Sequence, residues 1–377
     1  MINILFTALL LSNPSNAGAM APNLYSNDNE IWMTWIEPVN GEETYKVKCA
    51  EFLNGSWNAS STVLKASHLF VNWADFPELC IAKDGSMYVT WLQKSGPGTY
   101  AYDIGIAQSK DEGKSWSHLG TLNDDRVLGE HGFVSLIQNG DKGVRAFWLD
   151  GRAMTGDGHS GHGGGDMQLR TTLVNSEVQT SELIDARVCE CCSTDAVLHA
   201  GVPLVVYRDR DAGEIRDISI TTLGKKEKLI YADGWNINGC PVNGPSIATN
   251  DKDVLVGWFT APENKSEVNV AFINAEGIQK PIELSTNSIG RIDVALLEDS
   301  TGIACWLETC DDGMYVSVAK VRKDGSVSQI QHAEKVASSR QAGFPQIAVA
   351  GDNLLVIWTA EDTTTGIQYK LLDLNSF

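Results

Sequence analysis

The feature that most constrains this chain is an internal repeat running its whole length. An apolar strand, a polar turn carrying Asp or Gly, and a second strand closing on an aromatic residue recur seven times. The units are Pro22 to Trp35, Pro77 to Trp91, Phe133 to Trp148, Ser193 to Tyr207, Pro245 to Trp258, Arg291 to Trp306 and Pro345 to Trp358. Their closing aromatics lie 56, 57, 59, 51, 48 and 52 residues apart, so seven periods account for the 377 residues. A repeat of this length is one supersecondary unit that must bury its apolar face against copies of itself.

Each period has room for two more strands, such as YAYDIGIAQS and the stretch around SHLGTL after Trp91, or EVNVAFIN and KPIELS after Trp258. Four short antiparallel strands per period describe a β-propeller blade. The expected fold is therefore all-β, one propeller domain over residues 1–377 with four-stranded antiparallel blades. The count favours seven blades, with six as the alternative. The composition agrees: 35 glycines suit tight turns, and 11 tryptophans suit packing between layers.

Two readings of the N-terminus stay open. Ile2 to Leu11 is apolar and Ala17-Gly18-Ala19 offers small residues for cleavage, so residues 1–19 read as a secretory signal, although no Lys or Arg precedes the apolar run. Only one strand, IQYKLL, fits after Trp358, so Ile2 to Ser12 also reads as the outer strand that completes the last blade. An unpaired sheet edge invites aggregation, which favours such a closure. The protein is expected to be exported, periplasmic or extracellular.

Charge narrows the partners. With 29 Lys and Arg against 48 Asp and Glu the net charge is −19, which repels phosphate backbones and anionic lipid. Nucleic acid is excluded as a partner, no membrane span is expected, and the chain reads as a monomer.

Ser109-Lys-Asp111-Glu-Gly113-Lys-Ser-Trp116 matches the Asp-box S-x-D-x-G-x-x-W, and Asn54 to Trp57 is its remnant in the first unit. With the segments FVNWADFP, EHGFVSL, WLDGR, RVCECC, YRDR and GCPVNGP, the chain resembles the sialidase (BNR-repeat) superfamily, in particular a bacterial sialidase-like group. The resemblance implies an Asp-box between the third and outer strands of a blade, on the face opposite the pocket. For a retaining exo-sialidase it also implies an arginine cluster, a Tyr nucleophile activated by Glu, and an Asp acid/base. A phenol needs a carboxylate to take its proton before it can attack. The F/Y-R-I-P segment carrying the first arginine of sialidases is absent.

Sorting residues by loop shows where chemistry would sit, since alternate turns of an antiparallel blade share an edge. Loops into the inner strands hold Asp75, Glu130, His131, Cys189, Cys191, Cys192, Cys240, Arg291 and Arg340. Loops after the second strands hold Asp150, Arg152, Arg208 and Arg210. The opposite turns are generic.

Candidate catalytic residues are Tyr102 with Asp75, Glu130 and Asp150. Arg152, Arg208, Arg210, Arg291 and Arg340, with His131, are candidates for binding an acidic glycan or other small anion. Each arginine could instead pair with a nearby carboxylate: Asp150 with Arg152, Asp209 with Arg208 or Arg210, Asp293 with Arg291. Cys189, Cys191, Cys192 and Cys240 lie in consecutive loops and read as disulfides or as a thiolate site for copper(I) or zinc, with His131, or with His159 and His162 of the glycine-rich loop. No cofactor is certain. Cys305 and Cys310 read as a second pair, and Cys49 and Cys80 as buried strand residues.

The expected function is a sialidase-like propeller binding or hydrolysing an acidic glycan. A non-catalytic propeller with a copper or zinc site, or a protein-interaction scaffold, is the alternative.

Overall fold

The computed structural model describes residues 13–27, 30–141, 143–154, 165–360 and 366–377. Seven antiparallel sheets follow one another along the chain; five run in order from first strand to last, and in the first and fifth a two-residue strand and the outer strand both pair with the third. Their first strands are Met20–Ser26, Leu79–Ile81, His131–Gln138, Asp195–His199, Ser246–Thr249, Ser288–Leu296 and Gln346–Ala350. Each touches the next in order, and the seventh touches the first, so these strands form a closed inner ring. The protein is a seven-bladed β-propeller. Among the described residues no helix is long and apolar enough to cross a membrane.

The repeat is legible in the packing. All seven closing aromatics sit on second strands, and Trp35, Trp148, Tyr207, Trp258 and Trp306 are essentially sealed from solvent. A second strand is covered on both faces by its neighbours, which is why Ile31–Pro38 and Val144–Asp150 read as near-continuous buried runs.

A buried indole N–H must find an acceptor. Trp35 donates to Glu37 at 3.3 Å, Trp91 to Gln93 at 3.2 Å and Trp148 to Asp150 at 2.8 Å, while Trp306 donates to Glu308. In four blades the acceptor thus stands two residues after the tryptophan. Tyr207 donates to Asp185 at 2.7 Å.

Inner strands are tied across blades by side-chain acceptors. Asp75 accepts from Phe133 N, Asp195 from Ile247 N and Asp293 from Ile347 N, each at 2.8 Å, and Asn243 accepts from Arg291 N at 2.7 Å. Phe133 and Arg291 take positive φ (54° and 57°) where the register of their strands shifts. Such bulges free an N–H from the ladder and aim it sideways, where the preceding blade meets it. Gly132 permits the approach: a Cβ there would collide with the Asp75 carboxylate.

Blade two carries the Ser109 to Trp116 turn between its third and outer strands. Asp111 accepts from Ser109 Oγ and Ser115 N at 2.8 Å, Ser109 Oγ accepts from Gly113 N at 2.9 Å, and Gly113 supplies φ +76°. Trp116 packs against residues of blades one and two, including Trp32, Val47 and Met87.

The seventh blade has three described strands, Gln346–Ala350, Asn353–Thr359 and Ile367–Asp373. Against the last lie Asn13, which donates to Ile367 O at 2.5 Å, and Ser15, whose Oγ accepts from Ile367 N at 3.3 Å. The expected signal or closing strand over Ile2 to Ser12 lies outside the described residues, as do His159 and His162.

Candidate active site

The loops leading into the inner strands converge over the ring axis. Trp73, before the second blade, stacks on Phe344, before the seventh, with centroids 5.8 Å apart and planes 19° apart. Phe76 meets Phe344 edge-on at 5.4 Å. The Arg291 guanidinium of blade six lies 4.6 Å from the Trp73 centroid and 5.7 Å from that of Phe344. Blades two and six are not neighbours, so these contacts bridge the axis. An aromatic–arginine stack therefore joins the loops of blades two, six and seven.

Beside this stack is a second cluster. Asn72 Oδ1 accepts from Ala74 N and Asp75 N at 2.8 and 2.9 Å, a turn that presents Trp73 to the axis and Asp75 toward blade three. Tyr102, 1% exposed, stacks on Phe70 with centroids 4.1 Å apart and donates to Glu130 Oε1 at 2.8 Å. Sequence spacing gave no sign of this Tyr–Glu bond, because 28 residues and a blade boundary separate the partners. Burial pushes Glu130 up to about 7, against the Tyr102 bond that pulls it down. Burial also pushes Asp75 to about 7, opposed by the Phe133 amide and reinforced by the Glu130 charge. Burial, then the charges of Glu130 and Asp75, hold Tyr102 well above the ordinary phenol value. Both carboxyls are thus raised toward neutrality, and the phenol stays a hydrogen-bond donor.

Other expected site residues are occupied elsewhere. Asp150 is fully buried, accepting from Trp148 Nε1 and gripped by Arg152 at 2.7 and 2.9 Å. Arg152 also pairs with Asp124 at 2.9 Å and Asp125 at 3.0 Å, three carboxylates on one guanidinium, leaving no positive charge for an anion. His131 is sealed off: Nδ1 donates to the Tyr102 carbonyl at 3.0 Å and Nε2 faces Asp125 at 3.2 Å. Burial lowers the His131 pKa, but Asp125 and Asp150 outweigh it and the net shift is upward. His131 therefore props the Tyr102 backbone rather than meeting a ligand.

Arg208 is 1% exposed and donates to three carbonyls, Asn243 (2.9 and 3.1 Å), Arg216 (2.7 Å) and Phe259 (2.7 Å), under Trp235. It pairs with no aspartate: Asp209 accepts from Ser219 Oγ at 3.0 Å. Arg210 is bound by Glu190 and by Glu214 at 2.7 Å. Both guanidiniums are thus engaged within the protein, Arg208 by carbonyls and Arg210 by carboxylates.

Arg291 donates to the Gly343 and Ser339 carbonyls at 2.8 and 3.4 Å, not to Asp293. Burial, then the neighbouring Arg340, lowers it to about 10. Arg340 is exposed and lies 5.7 Å from the Trp73 centroid. Among the described residues no carboxylate pairs with either guanidinium.

Asp124, Asp125, Glu190, Glu214 and Arg216 were missed. The acidic pair in NDDR, six and seven residues before His131, was the available signal for the first two.

The thiols divide sharply. Cys189, Cys191 and Cys192 are buried with sulfurs mutually within 4.8 Å, while Cys240, exposed, neighbours Cys191 from the next loop without joining that tight group. Cys49 and Cys80 are buried in strands. Cys305 and Cys310 lie five residues apart along one extended strand, Gly302–Cys310, so they point to opposite faces and do not pair.

No family model and no curated protein matches the chain. Solved structures do. A Penicillium chrysogenum alpha-L-arabinanase complexed with arabinobiose superposes with TM-score 0.52 at 12% identity, covering 97% of each chain. A polysaccharide lyase of family PL25, an ulvan lyase, gives 0.59 at 9% over 96% of this chain and 95% of that one. The polysaccharide lyase Uly1 gives 0.55 at 8% over 97% and 91%. At such identities the likeness is one of fold, and the fold is one used by carbohydrate-active propellers.

Proposed function

We propose that this propeller acts on an acidic glycan, hydrolysing a glycosidic bond at the loop-bearing face between blades two and three. The observation that carries the reading is the Tyr102–Glu130 hydrogen bond of 2.8 Å, with Asp75 beside it. A carboxyl raised to about 7 keeps a sizeable protonated fraction at neutral pH and can still release that proton to a leaving-group oxygen, which is the property required of a general acid.

In this reading Glu130 protonates the departing oxygen as its bond to the anomeric carbon breaks, and a water then adds to that carbon and returns a proton to Glu130. Tyr102 orients Glu130 and steadies its anion. The high pKa of Tyr102 speaks against the phenol as the nucleophile of the sialidase pattern. Trp73 offers a ring for the sugar face, and Arg340 the exposed positive charge for its carboxylate. The solved propellers from carbohydrate-active enzymes support the substrate class, and an exported location suits it.

The test is turnover of 4-methylumbelliferyl sialosides and uronides, with polyuronides followed by reducing-end release. Glu130→Gln should lower kcat/KM at least ~100-fold, the usual span for a lost general acid. An inert wild-type chain across the panel would overturn the proposal.

A further inference from the structure

We propose that Cys189, Cys191, Cys192 and Cys240 form a thiolate site for a single soft d10 metal ion, zinc(II) on all four sulfurs or copper(I) on the three buried ones. This inference is independent of the glycan reading.

The site is built from two loops. Cys189 to Cys192 is the tight turn between the outer strand Glu182–Val188 and the next inner strand, fixed by Cys189 N donating to Arg208 O at 3.0 Å. Cys240 comes from the following blade's loop. The Cys189 and Cys192 sulfurs stand 3.6 Å apart, and all three buried sulfurs fall within 4.8 Å of one another. Tetrahedral zinc at ~2.3 Å from each sulfur sets S···S near ~3.8 Å, inside that range. A disulfide requires ~2.05 Å.

Polarity points the same way. Arg216 Nη1 donates to Cys189 Sγ at 3.2 Å, and the Asn243 amide donates to Cys192 Sγ at 3.4 Å. Both sulfurs are thereby treated as acceptors, which suits thiolates far better than thiols. Arg216 is itself held in place by Glu190 at 2.7 Å and Glu214 at 2.9 Å. A donor set made of sulfur atoms selects zinc or copper(I) over harder ions.

Cys189, Cys191 and Cys192 belong to an apolar cluster with Met167, Val188, Val205 and Tyr207, a setting that raises the cost of unneutralised thiolates. Binding the ion displaces whatever protons the ligating thiols still carry and changes no oxidation state. Its structural effect is to lock the loops entering blades four and five.

The full chain, purified anaerobically, is assayed for bound metal by mass spectrometry and then titrated, after removal of metal and reduction, with zinc, cobalt(II) and copper(I). One ion per chain is expected, with cobalt giving the intense sulfur-to-metal charge-transfer and d–d bands of a tetrahedral thiolate site. Cys240→Ser should weaken zinc at least ~10-fold but leave copper(I) affinity unchanged if only the three buried sulfurs bind it. Should that variant misfold, the wild-type titration still decides. A reduced chain that binds none of the three ions, or a native chain whose four cysteines are all in disulfides by thiol counting, would overturn the site.

Discussion

Tyr102 reaches Glu130 across 2.8 Å from the far side of a blade boundary, and the same residue gives its backbone carbonyl to His131 at 3.0 Å. One strand terminus thus fixes two consecutive residues of the next blade, a hydroxyl acting on the first and a carbonyl on the second.

Removing that hydroxyl gives a clear expectation. The Tyr102 bond is what restrains the upward drift that burial imposes on Glu130. In Tyr102→Phe the carboxyl should titrate above its value of about 7, and the alkaline limb of the pH–rate profile should move upward with it. A limb that stays put while the rate falls would show that Tyr102 serves only packing.

Asp75 separates structure from chemistry. Its Oδ2 takes the amide of Phe133, a residue at φ 54° whose N–H has left the ladder. Asp75→Ala orphans that buried N–H and should cost about 1–3 kcal/mol in urea unfolding. Asp75→Asn keeps an acceptor and should be nearly neutral in stability. If Asp75→Asn unfolds as readily as Asp75→Ala, the tie between blades two and three is not what holds the bulge.

The repeat, the ring and the crowding of loops on one face were readable because burial imposes a period that survives in sequence. The fate of the rim arginines was not. WLDGR shows Asp150 two residues from Arg152, but nothing in it shows that Trp148 needs an acceptor for its indole, nor that Asp124 and Asp125 arrive from another blade. YRDR likewise places aspartates beside arginines, yet Arg208 turns inward to three carbonyls. Strand alternation sends adjacent residues to opposite faces, so neighbours in sequence are poor guides to partners. Trp73 and Arg291, 218 positions apart, meet only because the ring closes.

Stability should fall as pH rises from about 5 to about 8. Burial raises Asp75, Glu130 and Asp195 to about 7 and Asp293 to about 6. Between the ordinary carboxyl value and these, the folded chain holds protons that the unfolded chain has lost. The folded state is therefore favoured below the window and loses that advantage through it, every tenfold difference in proton affinity between the two states being worth ~1.4 kcal/mol. His131, also raised, loses its contribution over the same direction of pH. Asp124, at about 2, acts oppositely but only below about pH 4. Thermal unfolding across this range should show a midpoint highest near pH 5. A midpoint that climbs toward pH 8 would contradict the buried protons.

Two arginines should answer substitution in opposite ways. Arg208→Lys replaces a fork that satisfies three carbonyls from separate segments with a single ammonium, which cannot span them. With the side chain almost wholly enclosed, the loss should be on the order of 3 kcal/mol in urea unfolding. Arg340→Ala removes an exposed side chain that lies over the Trp73 ring near Arg291 and should leave stability within about 0.5 kcal/mol. Its effect belongs to the ligand: affinity for an acidic sugar, read by calorimetry, should drop while that for the neutral sugar stays the same. Equal losses for both sugars would place Arg340 in packing rather than in recognition of charge.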